Sequence, residues 1–115
     1  MDFLNQKLYI MTTFVNCTPH KIHLNDGRSF DPVLTNPIRV SAQFGEINGD
    51  ICSQSFGDIV GLPPQKQGTL LIVSAMVLSA VKSIGRTDCV APATGHPKTI
   101  RNEKGHIVSV PCFVS

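Results

Sequence analysis

Residues 69–85, with the sequence TLLIVSAMVLSAVKSIG, contain the two elements on which the predicted fold depends. The first five form a continuous apolar run, which is typical of a strand in the middle of a sheet. Ser74 follows as a predicted helix N-cap, and Gly85 suits the left-handed position that ends a helix. We therefore predict a central strand at 69–73 and a helix at 75–84.

The predicted helix is apolar around most of its circumference. Within it only Ser79, Lys82 and Ser83 are polar. A helix with so wide an apolar surface must be covered by other elements. We expect a β-rich α+β fold in which a curled, mostly antiparallel sheet surrounds this one central helix at about residues 75–84.

Alternation of apolar and polar residues predicts the surrounding strands, and it is clearest at 38–44. Further strands are predicted at 13–17, 21–24, 28–30, 51–56, 89–91 and 107–110. Between two of them, a three-residue turn at 48–50 would set Ile47 opposite Ile51. A two-residue turn would oppose Ile47 to Asp50 instead. We favour the three-residue turn.

The composition of the chain favours one compact domain. It has 115 residues, of which 42% are hydrophobic and 16% charged. We assign residues 13–115 to one β-rich globular domain. Residues 1–12 are assigned to an N-terminal extension whose order the sequence leaves open. The net charge of +2, the absence of tryptophan and the single tyrosine disfavour nucleic-acid binding.

The sequence indicates a cytoplasmic protein without a membrane segment. Its longest apolar stretch, 70–81, is shorter than the roughly 20 residues of a membrane-spanning helix. Residues 1–10 lack the apolar run and the small-residue cleavage site of a signal peptide. The four cysteines are widely spaced, so we expect buried free thiols rather than disulfides.

The segment NCTPH, at 16–20, is the first candidate for chemistry. Pro19 places His20 in a rigid, irregular stretch where an imidazole can act as acid or base or contact a phosphate. In the alternative interpretation, Asn16 and Thr18 hydrogen-bond to local backbone and His20 caps a turn. Both interpretations remain open at the level of sequence.

Cys17, His20 and His23 are each three positions apart, and cysteine and histidine at short spacing are typical of a metal site. On a strand, residues three apart point to opposite faces, so the two histidines cannot share an ion unless the Thr18-Pro19 break bends the chain. No second ligand cluster accompanies them. We therefore predict neither a metal nor a cofactor.

Two segments beside the predicted helix have the groups that hold phosphate. The start of a helix presents free backbone N–H groups, so Ser74 is either an anion contact or a simple N-cap. Directly after the helix, Arg86, Thr87 and Asp88 combine a fork-shaped cation, a hydroxyl and a carboxylate suited to a phosphate and a ribose. The alternative for Arg86 and Asp88 is an ion pair with each other.

Several sequence blocks are distinctive as an ordered set. They are NCTPH at 16–20, GLPP at 61–64, LIVS at 71–74, RTD at 86–88 and RNEKGHIV at 101–108. Together they resemble an uncharacterised family of small bacteriophage and bacterial proteins that usually open with Asn-Leu-Thr-Pro-His. The resemblance covers roughly residues 13–114, with Cys17 where leucine is usual. It implies a phage genomic context rather than a reaction.

In that context, we expect by analogy a counter-defence protein that captures a host nucleotide immune signal. The leading hypothesis is a homo-oligomeric sponge with Arg86 and Arg101 on the phosphates. The full set of predicted ligand contacts is Asn16, Thr18, His20, Ser74, Arg86, Thr87, Asp88, Arg101 and Asn102. The alternative is a metal-independent phosphodiesterase that uses His20 with His96. A second alternative is a non-enzymatic protein-interaction module.

Overall fold

The computed structural model describes residues 12–115. The strands are β1 (Thr13–Asn16), β2 (Ile22–His23), β3 (Ser29–Phe30), β4 (Arg39–Phe44), β5 (Gln54–Val60), β6 (Thr69–Ile72), β7 (Cys89–Pro92), β8 (Ile100–Arg101), β9 (Ile107–Ser109) and β10 (Phe113–Val114), and the helix is α1 (Ala75–Ser83). Apart from Thr12, the predicted N-terminal extension lies outside the described residues. No helix within 12–115 has the length and apolar character needed to cross a membrane.

A four-stranded sheet with the order β1-β6-β7-β10 is the centre of the fold. β6 runs parallel to both β1 and β7, and β10 is antiparallel to β7. The apolar run of β6 therefore lies inside the sheet as predicted, with Leu71 and Ile72 buried. Because parallel neighbours need a crossover connection, α1 links β6 to β7 as a β-α-β unit.

Both ends of α1 are capped by the residues that the sequence indicated. The Ser74 hydroxyl accepts a hydrogen bond from the backbone N–H of Val77 at 3.2 Å. At the other end Gly85 has a φ of +80°, and its N–H donates to the carbonyl of Lys82. The N–H of Arg86 donates to the carbonyl of Val81, which completes a Schellman motif. The predicted helix is confirmed, with Ile84 as its C-cap.

The core lies between the sheet and α1. Val77, Leu78 and Val81 of α1 pack with Leu71 and Val73, and the base of the β4–β5 hairpin adds apolar side chains on the far side of the helix. On the opposite face of the sheet, Phe14, Phe30 and Phe113 form a ring cluster with centroids 5.1–5.8 Å apart. Only Val77, Leu78, Ala80 and Val81 of α1 are thus buried. Met76 is 43% exposed and Ile84, the C-cap, 62%, so the predicted cover around most of the helix is incomplete.

The predicted α+β class, rich in strands and with one helix, is confirmed for the described residues. Four of the six strand pairs between residues 12 and 115 are antiparallel. The predicted curling of one sheet around the helix is wrong. Instead a small central sheet and three separate two-stranded sheets form, largely uncurled, because the β6–α1–β7 crossover places the helix on one face only.

The turn between β4 and β5 also differs from both predicted registers. Asn48 pairs with Ile51 through two backbone hydrogen bonds of 2.8 and 3.1 Å, so the loop consists of Gly49 and Asp50. Gly49 has a φ of +64°, the conformation that two-residue hairpin loops require at their first position. The glycine therefore decides the register.

Candidate functional site

A cleft of about 600 Å³ lies at the carboxyl edge of the central sheet, and we call it the carboxyl-edge cleft. Its lining residues come from 18–23, from Ser74 and Ala75, from Pro92 and Thr94, and from 107–110. Small-molecule sites have volumes of roughly 300–1,000 Å³, so the size of the cleft fits a ligand of this class.

The sheet topology explains why these segments meet. The parallel strands β1, β6 and β7 end at the same edge of the sheet, and ligands of α/β sheets bind outside the carboxyl ends of their strands. β1 is followed by the bend that contains Thr18, β6 by Ser74 and β7 by Thr94. One side of the cleft is closed by the β8–β9 hairpin, through Ile107 and Val108.

Asn16 holds the bend that brings the first segment to the cleft. Its side chain, in a residue only 1% exposed, accepts hydrogen bonds from the N–H and the hydroxyl of Thr18 at 2.9 and 2.6 Å. Its Nδ2 donates to the carbonyls of His20 and Phe30 at 2.8 and 2.9 Å. Asn16 therefore positions Thr18 and His20, and it does not itself line the cleft.

The bend places two histidines on one cleft. His20 and His23 both line it and both are solvent-exposed, because the chain turns at 18–20 before β2 begins. His96, the predicted partner of His20, is not in the lining. Its Nδ1 accepts a hydrogen bond from the N–H of Lys98 at 3.0 Å. The structure thus brings together His20 and His23 rather than His20 and His96.

The start of α1 gives the cleft a positive end. The N–H groups of Ala75 and Met76 lie in the first turn and have no acceptor within the helix. No acidic residue occupies that turn, so the positive end of the helix dipole is not neutralised by the helix itself. Lys21 also lines the cleft. The described lining residues include no aspartate or glutamate.

Arg86 and Asp88 lie at the opposite edge of the sheet, before β7 begins. Arg86 donates from Nε and Nη2 to the two carboxylate oxygens of Asp88, both at 2.8 Å, and from Nη2 to the carbonyl of Pro63 at 3.0 Å. The Asp88 side chain is only 4% exposed. The Arg86 hydrogen bonds lower the pKa of Asp88 and raise that of Arg86.

The predicted phosphate contacts therefore lie in different places, because Arg86, Thr87 and Asp88 are at the other end of β7 from the cleft. The four residues of β7 span about 13 Å between Asp88 and the cleft, at roughly 3.3 Å per strand residue. Arg86 joins the loop before β7 to Pro63, while the neighbouring Thr87 is exposed. A ligand held at the start of α1 is therefore remote from Arg86, Thr87 and Asp88.

Arg101, at the end of β8, and Asn102, directly after it, form a third location. The Asn102 Oδ1 accepts hydrogen bonds from the N–H groups of Lys104 and His106 at 2.9 and 3.0 Å. Arg101 donates from Nη1 to the carbonyl of Gly105 at 2.8 Å. Neither residue is part of the cleft lining, although the strand that follows them is.

The cysteines do not contribute to the cleft. Cys17 and Cys89 are buried in the core, and burial raises the pKa of both thiols, that of Cys89 to about 11. Cys52 and Cys112 are free but exposed, so the prediction of buried thiols is wrong for these two. Among residues 12–115, no group of three or more histidine, cysteine, aspartate or glutamate side chains is arranged to hold a metal ion.

No protein-family model, curated protein or solved structure matches this chain. Function is therefore inferred from the cleft itself. Of the nine predicted contact residues, the cleft contains Thr18, His20 and Ser74.

Sequence reasoning missed several residues of the cleft. They are Lys21, His23, Pro92, Thr94, Ile107 and Val108. The sequence did contain a signal for His23. A bend at Thr18-Pro19 is the one condition under which His20 and His23 can lie on the same side of the chain. The contribution of Ile107 and Val108 had no local signal, since it depends on how the β8–β9 hairpin folds back onto β2.

Proposed function

We propose that this protein binds a phosphorylated small molecule of nucleotide type in the carboxyl-edge cleft. It acts as a homo-oligomeric sponge for a host nucleotide signal in the cytoplasm of an infected or lysogenic bacterial cell. The observation that supports the ligand class is one cleft that combines the free start of α1, Lys21 and two histidines without an acidic residue among its described lining.

The phosphate is assigned to the start of α1. Backbone N–H groups at Ala75 and Met76 and the helix dipole favour an anion there. Lys21 and His20, which also line the cleft, supply a cation and a further donor. Lys21 also lies 3.5 Å from Asp31 in an exposed ion pair, which a phosphate can replace because such pairs are weak.

The base and sugar are assigned to the apolar side of the cleft. Ile107 and Val108 are exposed to solvent there, and Pro92 lies at the end of β7. A ligand that covers them removes apolar surface from water, which favours binding. Thr94 supplies a hydroxyl group for a ribose or a base edge, whereas the Thr18 hydroxyl already donates to Asn16 within the bend.

The sponge is preferred because it needs fewer groups than an enzyme. Sequestration needs no reacting group, and contacts for holding an anion are present at the start of α1, at Lys21 and at the two histidines. Arg86 and Asn102, two contacts predicted for the sponge, lie outside the cleft and hydrogen-bond elsewhere, so they do not support this site. The resemblance to phage proteins supports the proposed host setting.

The test is thermal unfolding of the purified protein with a panel of cyclic dinucleotides and ADP-ribose derivatives, followed by chromatography of each ligand. We expect a higher midpoint and an intact ligand. Saturation at a hundred times the Kd adds about 2.7 kcal/mol to the free energy of unfolding.

Lys21→Ala and His20→Ala should weaken binding, whereas His106→Ala, an exposed histidine outside the cleft, should not. If no member of the panel raises the midpoint, the proposal is contradicted for those ligands.

The second candidate function is a metal-independent phosphodiesterase. It is supported by the presence of His20 and His23 on the same cleft, since two imidazoles can serve as general base and general acid. The same experiment separates it from the sponge, because it requires degraded ligand. Turnover should then be lost in His20→Ala and in His23→Ala and be retained in His96→Ala. If the panel produces neither a shift in the midpoint nor degraded ligand, the third function, a protein-interaction module, is favoured.

A further inference from the structure

The β4–β5 hairpin projects a pronounced apolar tip. At its base Val40 and Ile59 pack against the core. At its tip, which we define as residues 44–54, Phe44 is 66% exposed, Ile47 75% and Ile51 76%. Three large apolar side chains close together in the sequence, each about two-thirds exposed or more, indicate a surface that another molecule covers.

Beyond its first residue the same hairpin is acidic. Arg39 lies at its base, whereas residues 40–60 contain Glu46, Asp50 and Asp58 and no lysine, arginine or histidine. The hairpin is also a separate two-stranded sheet, so the outer edge of each strand has unpaired backbone groups. A partner for the tip must therefore combine apolar surface with positive charge.

The β8–β9 hairpin has this combination. Residues 98–108 contain Lys98, Arg101 and Lys104 against the single acidic Glu103. Between and beside these charges, exposed apolar side chains lie at Ile100, 48% exposed, Ile107, 42%, and Val108, 50%. The chain thus has one acidic apolar hairpin and one basic apolar hairpin.

We propose that the tip of the β4–β5 hairpin of one copy docks on the β8–β9 hairpin of a second copy. Phe44, Ile47 and Ile51 cover Ile100 of the partner surface, and Glu46 and Asp50 face its lysines. Ile107 and Val108 are left to the ligand of the carboxyl-edge cleft. Opposite charges around an apolar centre give both attraction and correct orientation. Each contact joins two different surfaces, the tip of one copy and the β8–β9 hairpin of another. Two copies can make both contacts with each other in a dimer, or several copies can make them head to tail in a ring.

This inference depends on the homo-oligomer of the proposed function and not on its ligand. The β8–β9 hairpin also forms one wall of the carboxyl-edge cleft, so a docked tip lies beside the cleft of the neighbouring copy. Assembly is measured without any nucleotide. Failure of the interface therefore leaves the ligand proposal to be judged separately.

The decisive experiment is a charge exchange between the two hairpins, followed by light scattering after size-exclusion chromatography. The wild type should have the mass of two or more chains. Glu46→Lys with Asp50→Lys should reduce it to one chain, and so should Lys98→Glu with Lys104→Glu. An equimolar mixture of the two variants should recover the assembly, because each reversed surface then meets a complementary one.

The matched control is Asp31→Lys, another exposed acid-to-lysine change outside the hairpin, which should leave the assembly intact. Circular dichroism should show every variant folded. A monomeric wild type throughout the micromolar range would overturn the proposal. So would an assembly that survives both reversals, or a mixture that stays monomeric.

The native thiol at the tip gives an independent measurement. Cys52 is exposed and free. With Cys112→Ser to remove the other exposed thiol, Lys104→Cys on the partner hairpin should form a disulfide between separate chains under mild oxidation. Lys66→Cys, in the exposed loop before β6, should not. Equal crosslinking at both positions, or none at Lys104→Cys, would count against the docking geometry.

Discussion

At the scale of single residues, Asn16 is the side chain whose loss should disturb the cleft most without touching a ligand. It is fully buried, and its amide makes four hydrogen bonds that hold Thr18, His20 and Phe30. Asn16→Ala leaves buried polar groups without partners, which costs about 2–4 kcal/mol in the free energy of unfolding. Urea denaturation measures this loss, and Asn36→Ala, at an exposed asparagine, is the control. Equal effects of the two substitutions would contradict the role of Asn16.

The Arg86–Asp88 pair should make stability depend on acid pH. Because the Arg86 hydrogen bonds lower the pKa of Asp88 below its ordinary value of 3.8, the unfolded chain takes up a proton before the folded one does. The contribution of the pair is therefore complete above the unfolded pKa and is lost as the pH falls through that value and then through the lower folded pKa.

Asp88→Asn tests this dependence. At neutral pH we expect a loss of about 2–4 kcal/mol, because the Arg86 guanidinium keeps a partly buried charge without its carboxylate. The difference from the wild type should shrink as the pH falls below 4. Asp31→Asn, which breaks the exposed pair with Lys21, should change stability little. A pH-independent difference for Asp88→Asn would show that the pair acts through packing alone.

At the scale of elements, α1 is defined by its two caps. Gly85 has a φ of +80° and no other atom near the position of a Cβ, so Gly85→Ala is opposed by backbone conformation alone. We expect it to cost about 1 kcal/mol in the free energy of unfolding. Gly85→Asn should cost less, because asparagine tolerates this conformation. Gly95→Ala is the control, since Gly95 has open space and no positive φ. A similar loss at both glycines would argue against the Schellman motif as the cause.

The hairpins show the limit of element-level reasoning. The alternation at 38–44 predicted β4 correctly, but the partner strand lies at Gln54–Val60 rather than at 51–56. Its position follows from the loop at Gly49 and Asp50 and from a register shift between Val40 and Ala42. A bulge of this kind has no pattern of its own in the sequence, because it results from how the two strands twist against each other.

At the scale of the whole molecule, the core decides which thiols react. Cys17 and Cys89 are buried, and their raised pKa values keep them in the unreactive thiol form at neutral pH. We expect an aromatic disulfide reagent to modify Cys112 rapidly in the native protein, Cys52 rapidly wherever the tip is not docked, and all four cysteines only after denaturation. Cys52→Ser with Cys112→Ser should abolish the rapid phase. Fast modification of four thiols in the native state would contradict the buried positions.

The sequence by itself determined the strand–helix unit at 69–85, its caps and the strand-rich class of the fold. Each of these depends on local physics: an apolar run, a side-chain acceptor at Ser74 and a left-handed glycine at Gly85. The predicted hydrogen bonds of Asn16 and Thr18 to nearby backbone also form, because they are local.

Only the tertiary structure decided which chemical groups share a site. Pairing β1 with β6 joins residues more than fifty positions apart, and it places Thr18 and His20 beside Ser74. The same sheet directs Arg86 to the opposite edge, where Asp88 engages it. A motif shows which side-chain groups the chain contains, whereas the strand order determines the edge of the sheet at which each group lies.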